Sequence, residues 1–147
     1  MQLTRFTDYS IRVLIFLAAK NGERATISEV AETLSISRNH VMKIVQTLNQ
    51  NGYIATARGK KGGLTLACSA SAISIGALVR GTEDIPLVEC FRQDNACVIT
   101  PACRLKPILK EALDAFLAVL DSYTLADLME NRTSRLAQLL SIPAGTP

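Results

Sequence analysis

Histidine is nearly missing from this chain. Of 147 residues only His40 carries an imidazole, so no histidine-rich catalytic or zinc constellation can be assembled. Apolar runs of membrane-spanning length are also missing, and the first residues lack the basic-then-apolar layout of a secretory signal. A cytoplasmic protein with no membrane partner is expected, in a compartment where thiols stay reduced. The cysteines form none of the C-x₂₋₄-C pairs usual in structural zinc sites. The glycine-rich stretch 59–63 lacks the spacing and the Ser/Thr of a phosphate-binding loop. There is no internal repeat.

What is present suits one domain of ordinary size, or a small domain with an appended oligomerisation element. At 48% hydrophobic residues the chain can bury a core without staples. The net charge is only +3, but it is unevenly placed. Residues 1–66 hold nine Lys/Arg against four Asp/Glu, and residues 67–147 hold seven against nine. A basic half followed by an acidic half fits nucleic-acid binding followed by regulation.

Along the first half, capping and stop signals divide the chain into helices. Thr7 can cap a helix from Asp8 to Lys20, with Asn21-Gly22 as its stop. This helix is apolar on both sides and should be covered on both. Asp8 would sit in its first turn, where the helix dipole favours a carboxylate. Thr26-Ile-Ser-Glu29 reads as a capping box for a second helix ending near Leu34. Ser37 can cap a third, ending near Asn51, with Gly52 as its left-handed stop. Two helices joined by so short a turn make a helix-turn-helix. Its outward residues Ser37, Arg38, Asn39, His40 and Lys43 stand where that motif meets base edges and phosphates. Residues 53–58 and 64–67 alternate as two strands around Gly-Lys60-Lys61-Gly-Gly, a basic hairpin. Placed after a recognition helix, it reads as a wing, with Arg58, Lys60 and Lys61 offered to DNA.

In the second half, Ser74 opens a short helix over Ile75–Arg80, ended by Gly81. Three thiols then fall within fourteen residues, at Cys90, Cys97 and Cys103. The segment from Cys90 to Cys97 is too polar to form a core of its own. Thiolates suit iron–sulfur clusters, zinc or copper(I). A redox disulfide switch and simple buried thiols are the competing readings. Thr100-Pro101 reads as a turn or helix start, which would set Cys103 near a helix N-terminus, where a thiolate is favoured. Cys68 is read as structural. From Leu105 an amphipathic pattern places Leu105, Ile108, Leu109, Ala112, Leu113, Phe116, Leu117 and Leu120 on one face. Such a helix packs against a twin or back on its own domain. A short helix starts at Thr124.

Several motifs in one order carry a family resemblance. They are Leu3-Thr-x-Phe6-Thr7-Asp8-Tyr9, Ile36-Ser-Arg-Asn-His40 with Lys43, Arg58-Gly59-x-x-Gly62-Gly63, Ile99-Thr-Pro-Ala-Cys103-Arg-Leu and Tyr123-Thr-Leu-Ala-Asp-Leu128. With these the chain resembles the winged-helix iron–sulfur transcription regulators, and within them the nitric-oxide-sensing repressors. The resemblance implies a homodimer crossed through the long helix, bound to double-stranded operator DNA. It implies an iron–sulfur cluster on Cys90, Cys97 and Cys103, with Asp8 of the partner subunit as fourth ligand. The assembly-regulating branch instead uses a histidine three residues after the last cysteine, where this chain has Lys106. A [4Fe–4S] cluster is favoured, with [2Fe–2S] as the open alternative.

The expected fold is mainly α with a small β-hairpin wing. Residues 1–82 form a winged helix-turn-helix and 83–104 a cysteine-rich cluster-binding loop. Residues 105–130 form a dimerisation helix and a short final helix, and 131–147 a tail. The expected function is a nitric-oxide-sensitive repressor switched by damage to its cluster, and not an enzyme. Its rivals are an iron–sulfur assembly or redox-responsive regulator of the same family, a structural zinc DNA-binding module, and a cysteine-dependent enzyme.

Overall fold

Helix α1 (Arg5–Ala19) runs through the middle of the core, and the reason is in its residues. Val13, Leu14, Phe16 and Leu17 span more than one side of the helix and are all buried, so more than one element must cover α1. The computed structural model describes residues 2–59, 62–130 and 133–142. The start of α1 differs from the sequence expectation. Thr4, not Thr7, is the N-cap, its hydroxyl accepting from the Thr7 N–H at 3.3 Å. Thr7 lies fully buried in the first turn, and its hydroxyl donates to Thr82 Oγ1 at 2.8 Å.

Helix α2 (Ile27–Leu34) opens on the expected capping box, Thr26 with Glu29. Glu29 also anchors α1, because its Oε1 accepts from Lys20 Nζ at 2.6 Å. Lys20 is only 8% exposed, and its ammonium lies 5.9 Å from the centre of the Phe16 ring. Glu29→Ala would remove half of the capping box and leave a buried ammonium without its carboxylate. The expected loss is about 2–3 kcal/mol in urea unfolding, with Glu29→Gln costing less.

Ser35 turns the chain in the left-handed region (φ 53°), and Ser37 caps α3 (Arg38–Gln50). Val41, Ile44, Val45 and Leu48 bury one face of α3 against the core. Strands β1 (Ile54–Ala57) and β2 (Gly63–Leu66) pair antiparallel, with Ile54 opposite Leu66 and Ala57 opposite Gly63. Ala25 extends this hairpin by exchanging two backbone hydrogen bonds with Leu64, which ties the wing to the entry of α2. Helix α4 (Ile75–Thr82) runs through Gly81 rather than ending there.

Helices α5 (Leu105–Asp121) and α6 (Leu125–Met129) follow. The C-terminal end of α5 is fixed to α4 in three ways. Gly76 lies so close to the Asp121 carboxylate that a Cβ would not fit. Arg80 holds that carboxylate through both its terminal nitrogens and pulls the Asp121 carboxyl below its ordinary range. The Ile75 N–H donates to the Tyr123 carbonyl, and the Leu125 N–H to that of Ile73. The other end of α5 is open. No residue of α5 is buried, and Leu105 and Ile108 are more than half exposed. The segment read as a tail, 131–147, needs a correction. Thr133–Leu139 is a helix, α7, and Leu140 and Ile142 after it pack against the core.

Candidate functional site

The buried face of α3 dictates what its other face can do. With Val41, Ile44, Val45 and Leu48 inward, Ser37, Arg38, Asn39, His40 and Lys43 are all exposed on the outside. Two of these already have work within the chain. The Ser37 hydroxyl accepts from the His40 N–H, capping the helix. The His40 ring meets the Tyr9 ring edge-on, 6.2 Å between centres at 62°. Met42 is half exposed on α3 as well, and the sequence reading missed it.

Arg58 is exposed at the end of β1, while Lys60 and Lys61 lie outside the described residues. The glycines set the shape of the wing. A Cβ at Gly62 would fall 2.4 Å from the Ala57 carbonyl oxygen. Gly63 has φ 151°, and a Cβ there would fall 2.8 Å from the Ala25 carbonyl oxygen. The two glycines that looked like a generic turn are thus demanded by close backbone approach.

Cys90, Cys97 and Cys103 are half-buried free thiols in the loop 83–104, and Cys68 is a free exposed one after β2. Cys68 therefore fills no core position. Short 3₁₀ turns at Glu89–Phe91 and Thr100–Ala102 shape the loop. Cys103 directly precedes Arg104 and the start of α5, close to the helix terminus expected from Thr100-Pro101. Polar side chains brace the loop internally. The Cys97 N–H donates to Asn95 Oδ1 (3.0 Å), Asn95 Nδ2 to Thr100 Oγ1 (3.0 Å), and the Ala96 N–H to Glu89 Oε1 (3.1 Å).

Among the described residues, no three His, Cys, Asp or Glu side chains come together as a group able to hold a metal ion. The three thiols therefore do not form such a group, alone or with Asp8 of the same chain. Their chemistry nonetheless fits a soft metal centre: three unpaired sulfurs in one short polar segment, none buried as core.

Asp8 sits in the first turn of α1 and is already engaged. Arg12, one turn on, donates from Nε to Asp8 Oδ1 at 3.0 Å and from its terminal nitrogen to Oδ2 at 2.7 Å. The Arg12 guanidinium also lies 5.7 Å from the centre of the Tyr9 ring. Asp8, Arg12, Tyr9 and His40 thus form a continuous line from α1 to the first turn of α3. Arg12 and Tyr9 gave no sign of this in sequence, although the i, i+4 spacing of Asp8 and Arg12 is the usual one for a helical ion pair.

Comparison with known proteins agrees with this architecture. Residues 3–131 match the Rrf2 family, described as iron-dependent transcriptional regulators. The HTH-type transcriptional regulator NsrR of Bacillus subtilis (strain 168) is 55% identical over 135 residues, covering 90% of this chain and 92% of that protein. Oxidized CymR of Staphylococcus aureus superposes with a TM-score of 0.68 at 29% identity, over 88% of this chain and 97% of that one. IscR of T. potens superposes with a TM-score of 0.69 at 22% identity, over 89% and 88%, a likeness of fold. The mainly helical winged-helix architecture expected from the sequence is the one observed.

Proposed function

Because this chain belongs to the Rrf2 family of transcriptional regulators, we propose that it is a homodimeric, nitric-oxide-sensitive repressor whose operator binding depends on an iron–sulfur cluster. It regulates transcription and is not an enzyme. The observation that carries the reading is the pairing of two features in one small fold. An exposed polar and basic face on α3 and the wing stands at one site, and three free thiols stand in a polar loop at the open end of α5.

Arg38, Asn39, Lys43 and Arg58 would meet the duplex, as would Lys60 and Lys61. His40 and Ser37 shape the start of the reading helix. The half-exposed apolar residues of α5 would meet a second copy, giving two reading heads for two half-sites. Cys90, Cys97 and Cys103 would hold the cluster, [4Fe–4S] before [2Fe–2S], with Asp8 of the partner subunit as fourth ligand. Lys106, in place of a histidine, argues against the assembly-regulator ligand set. When bound, the cluster supplies iron that reacts with nitric oxide. The chain's part is to make Asp8 a choice: Arg12 holds its carboxylate within the chain, and a carboxylate so held is less available to a metal. No described helix is long and apolar enough to cross a membrane, and a cytoplasmic site of action fits the free thiols.

Titrating operator DNA with reconstituted, cluster-free and nitric-oxide-treated protein tests this reading. The reconstituted form should bind about tenfold tighter or better than the other two, within the usual range of coupling between two sites. Equal affinity in all three would end the cluster switch. A narrower prediction concerns Asp8. Carboxylate is a hard ligand poorly matched to iron among thiolates, and thus the easiest to displace. Asp8→Cys should slow the reaction with nitric oxide and keep DNA binding, and Asp8→Ala should alter the visible absorption. Identical stopped-flow traces and spectra for parent and both variants would remove Asp8 from the ligand set.

A further inference from the structure

Resting on the reading above, we infer that Glu83 is a positioning residue: through Thr4 it fastens the first turn of α1, and with it Asp8, to the root of the cysteine loop. Glu83 Oε1 accepts both the Thr4 backbone N–H at 2.6 Å and the Thr4 hydroxyl at 2.9 Å, across 79 residues of sequence. Thr4 in turn is where α1 begins. Its hydroxyl accepts the Thr7 N–H, and its carbonyl accepts the Asp8 N–H at 3.1 Å. The carboxylate of Glu83 is therefore two hydrogen bonds from the Asp8 backbone.

A second bond runs beside the first. The buried Thr7 hydroxyl donates to Thr82 Oγ1, and Thr82 Oγ1 donates to the Leu78 carbonyl at 2.9 Å. The N-terminal turn of α1 is thus bolted to the last turn of α4 at two adjacent residues. Glu83 is also the first residue beyond α4, its N–H still bonded to the Val79 carbonyl and its own backbone already extended. Everything from there to Arg104 is the cysteine loop. Among the described residues, the hydrogen bonds of 84–103 are internal to that loop. The Glu83 clasp is thus the hydrogen-bonded place where the loop's root meets α1.

The bland role for Glu83 is an anion at a helix N-terminus, stabilising α1 alone. Losing that role would weaken the folded state and leave the ratio between two functional states untouched. A positioning role predicts the reverse. If the clasp holds the first turn of α1 against the loop's root, and so sets where this chain's Asp8 can reach the partner subunit, loosening it should uncouple the loop from the reading head and spare the reading head itself.

The test uses the full chain, reconstituted anaerobically or left cluster-free, titrated with operator duplex. In Glu83→Ala the gain in affinity on reconstitution should fall from the parent's tenfold or better to under about threefold, while cluster-free affinity stays within about twofold of the parent. Glu83→Gln keeps an acceptor for the Thr4 N–H and should retain most of the gain. Glu83→Asp, whose carboxylate falls short, should behave like Glu83→Ala, and it serves if the alanine variant does not fold. A parent-like gain in Glu83→Ala or Glu83→Asp would overturn the inference, as would equal losses with and without the cluster. If the parent itself shows no gain, the cluster switch fails and the clasp is still decided by hydrogen exchange on cluster-free protein. Exchange at the Thr4 and Asp8 amides should then rise about tenfold in Glu83→Ala, and unchanged exchange would contradict the clasp.

Discussion

Serine in place of Cys90, Cys97 or Cys103 should abolish the visible absorption of the reconstituted protein and derepress a reporter gene, each to the level of a deletion. The expectation is all-or-none because a hydroxyl is a far weaker ligand for iron than a thiolate, and one missing sulfur leaves the metal labile. Cys68→Ser should keep both the absorption and the repression. Its thiol is exposed in the bend after β2, apart in sequence from the other three. The comparison carries its own control for folding. Equal losses in all four variants would indicate general destabilisation, and losses in none would remove the loop thiols from function. The half-burial of the three loop thiols argues against large folding effects, since none fills a core position whose loss leaves a cavity.

Truncation at the reading face should have the second-largest effect. Arg58→Ala is expected to weaken operator binding by about 1–3 kcal/mol if the side chain reads a base edge or a narrow groove. Lys43→Ala is expected to weaken binding to all sequences alike and to lower the salt dependence by about one counterion, as loss of a phosphate contact would. Both side chains are exposed, so neither change should lower the unfolding temperature. Parent-like binding by both variants in gel shifts would take the DNA contacts away from α3 and the wing. A fall in affinity without a fall in salt slope for Lys43→Ala would mark a contact to a base instead.

Much of the N-terminal half was legible because its signals are local. The Thr26–Glu29 capping box, the Ser37 cap, the Gly52 stop and the hairpin around 59–63 each depend on residues a few positions apart. All of them stand in the structure. Local reading failed where tertiary contacts decide between near-equal signals. Thr4 and Thr7 are both plausible caps, and only the burial of Thr7 against Thr82 makes Thr4 the one that faces the helix end. Helix α7 was missed because a seven-residue helix owes its existence to docking, here through Leu140 and Ile142.

The links that organise the candidate site were invisible for the same reason. Arg80 meets Asp121 across 41 residues and Glu83 meets Thr4 across 79, separations at which no periodicity speaks. In the cysteine loop the sequence names the donors but holds no information on how they gather. Its internal hydrogen bonds brace the backbone without drawing the three thiols into one group.

The central claim is that the three loop thiols hold an iron–sulfur cluster, and metal analysis tests it most directly. The chain, purified without exposure to oxygen, should carry about four iron and four acid-labile sulfides per subunit, with thiolate-to-iron absorption in the visible. About two of each would assign the smaller cluster and leave the account standing. Zinc without sulfide, in a colourless protein that binds its operator equally well before and after nitric oxide, would contradict it.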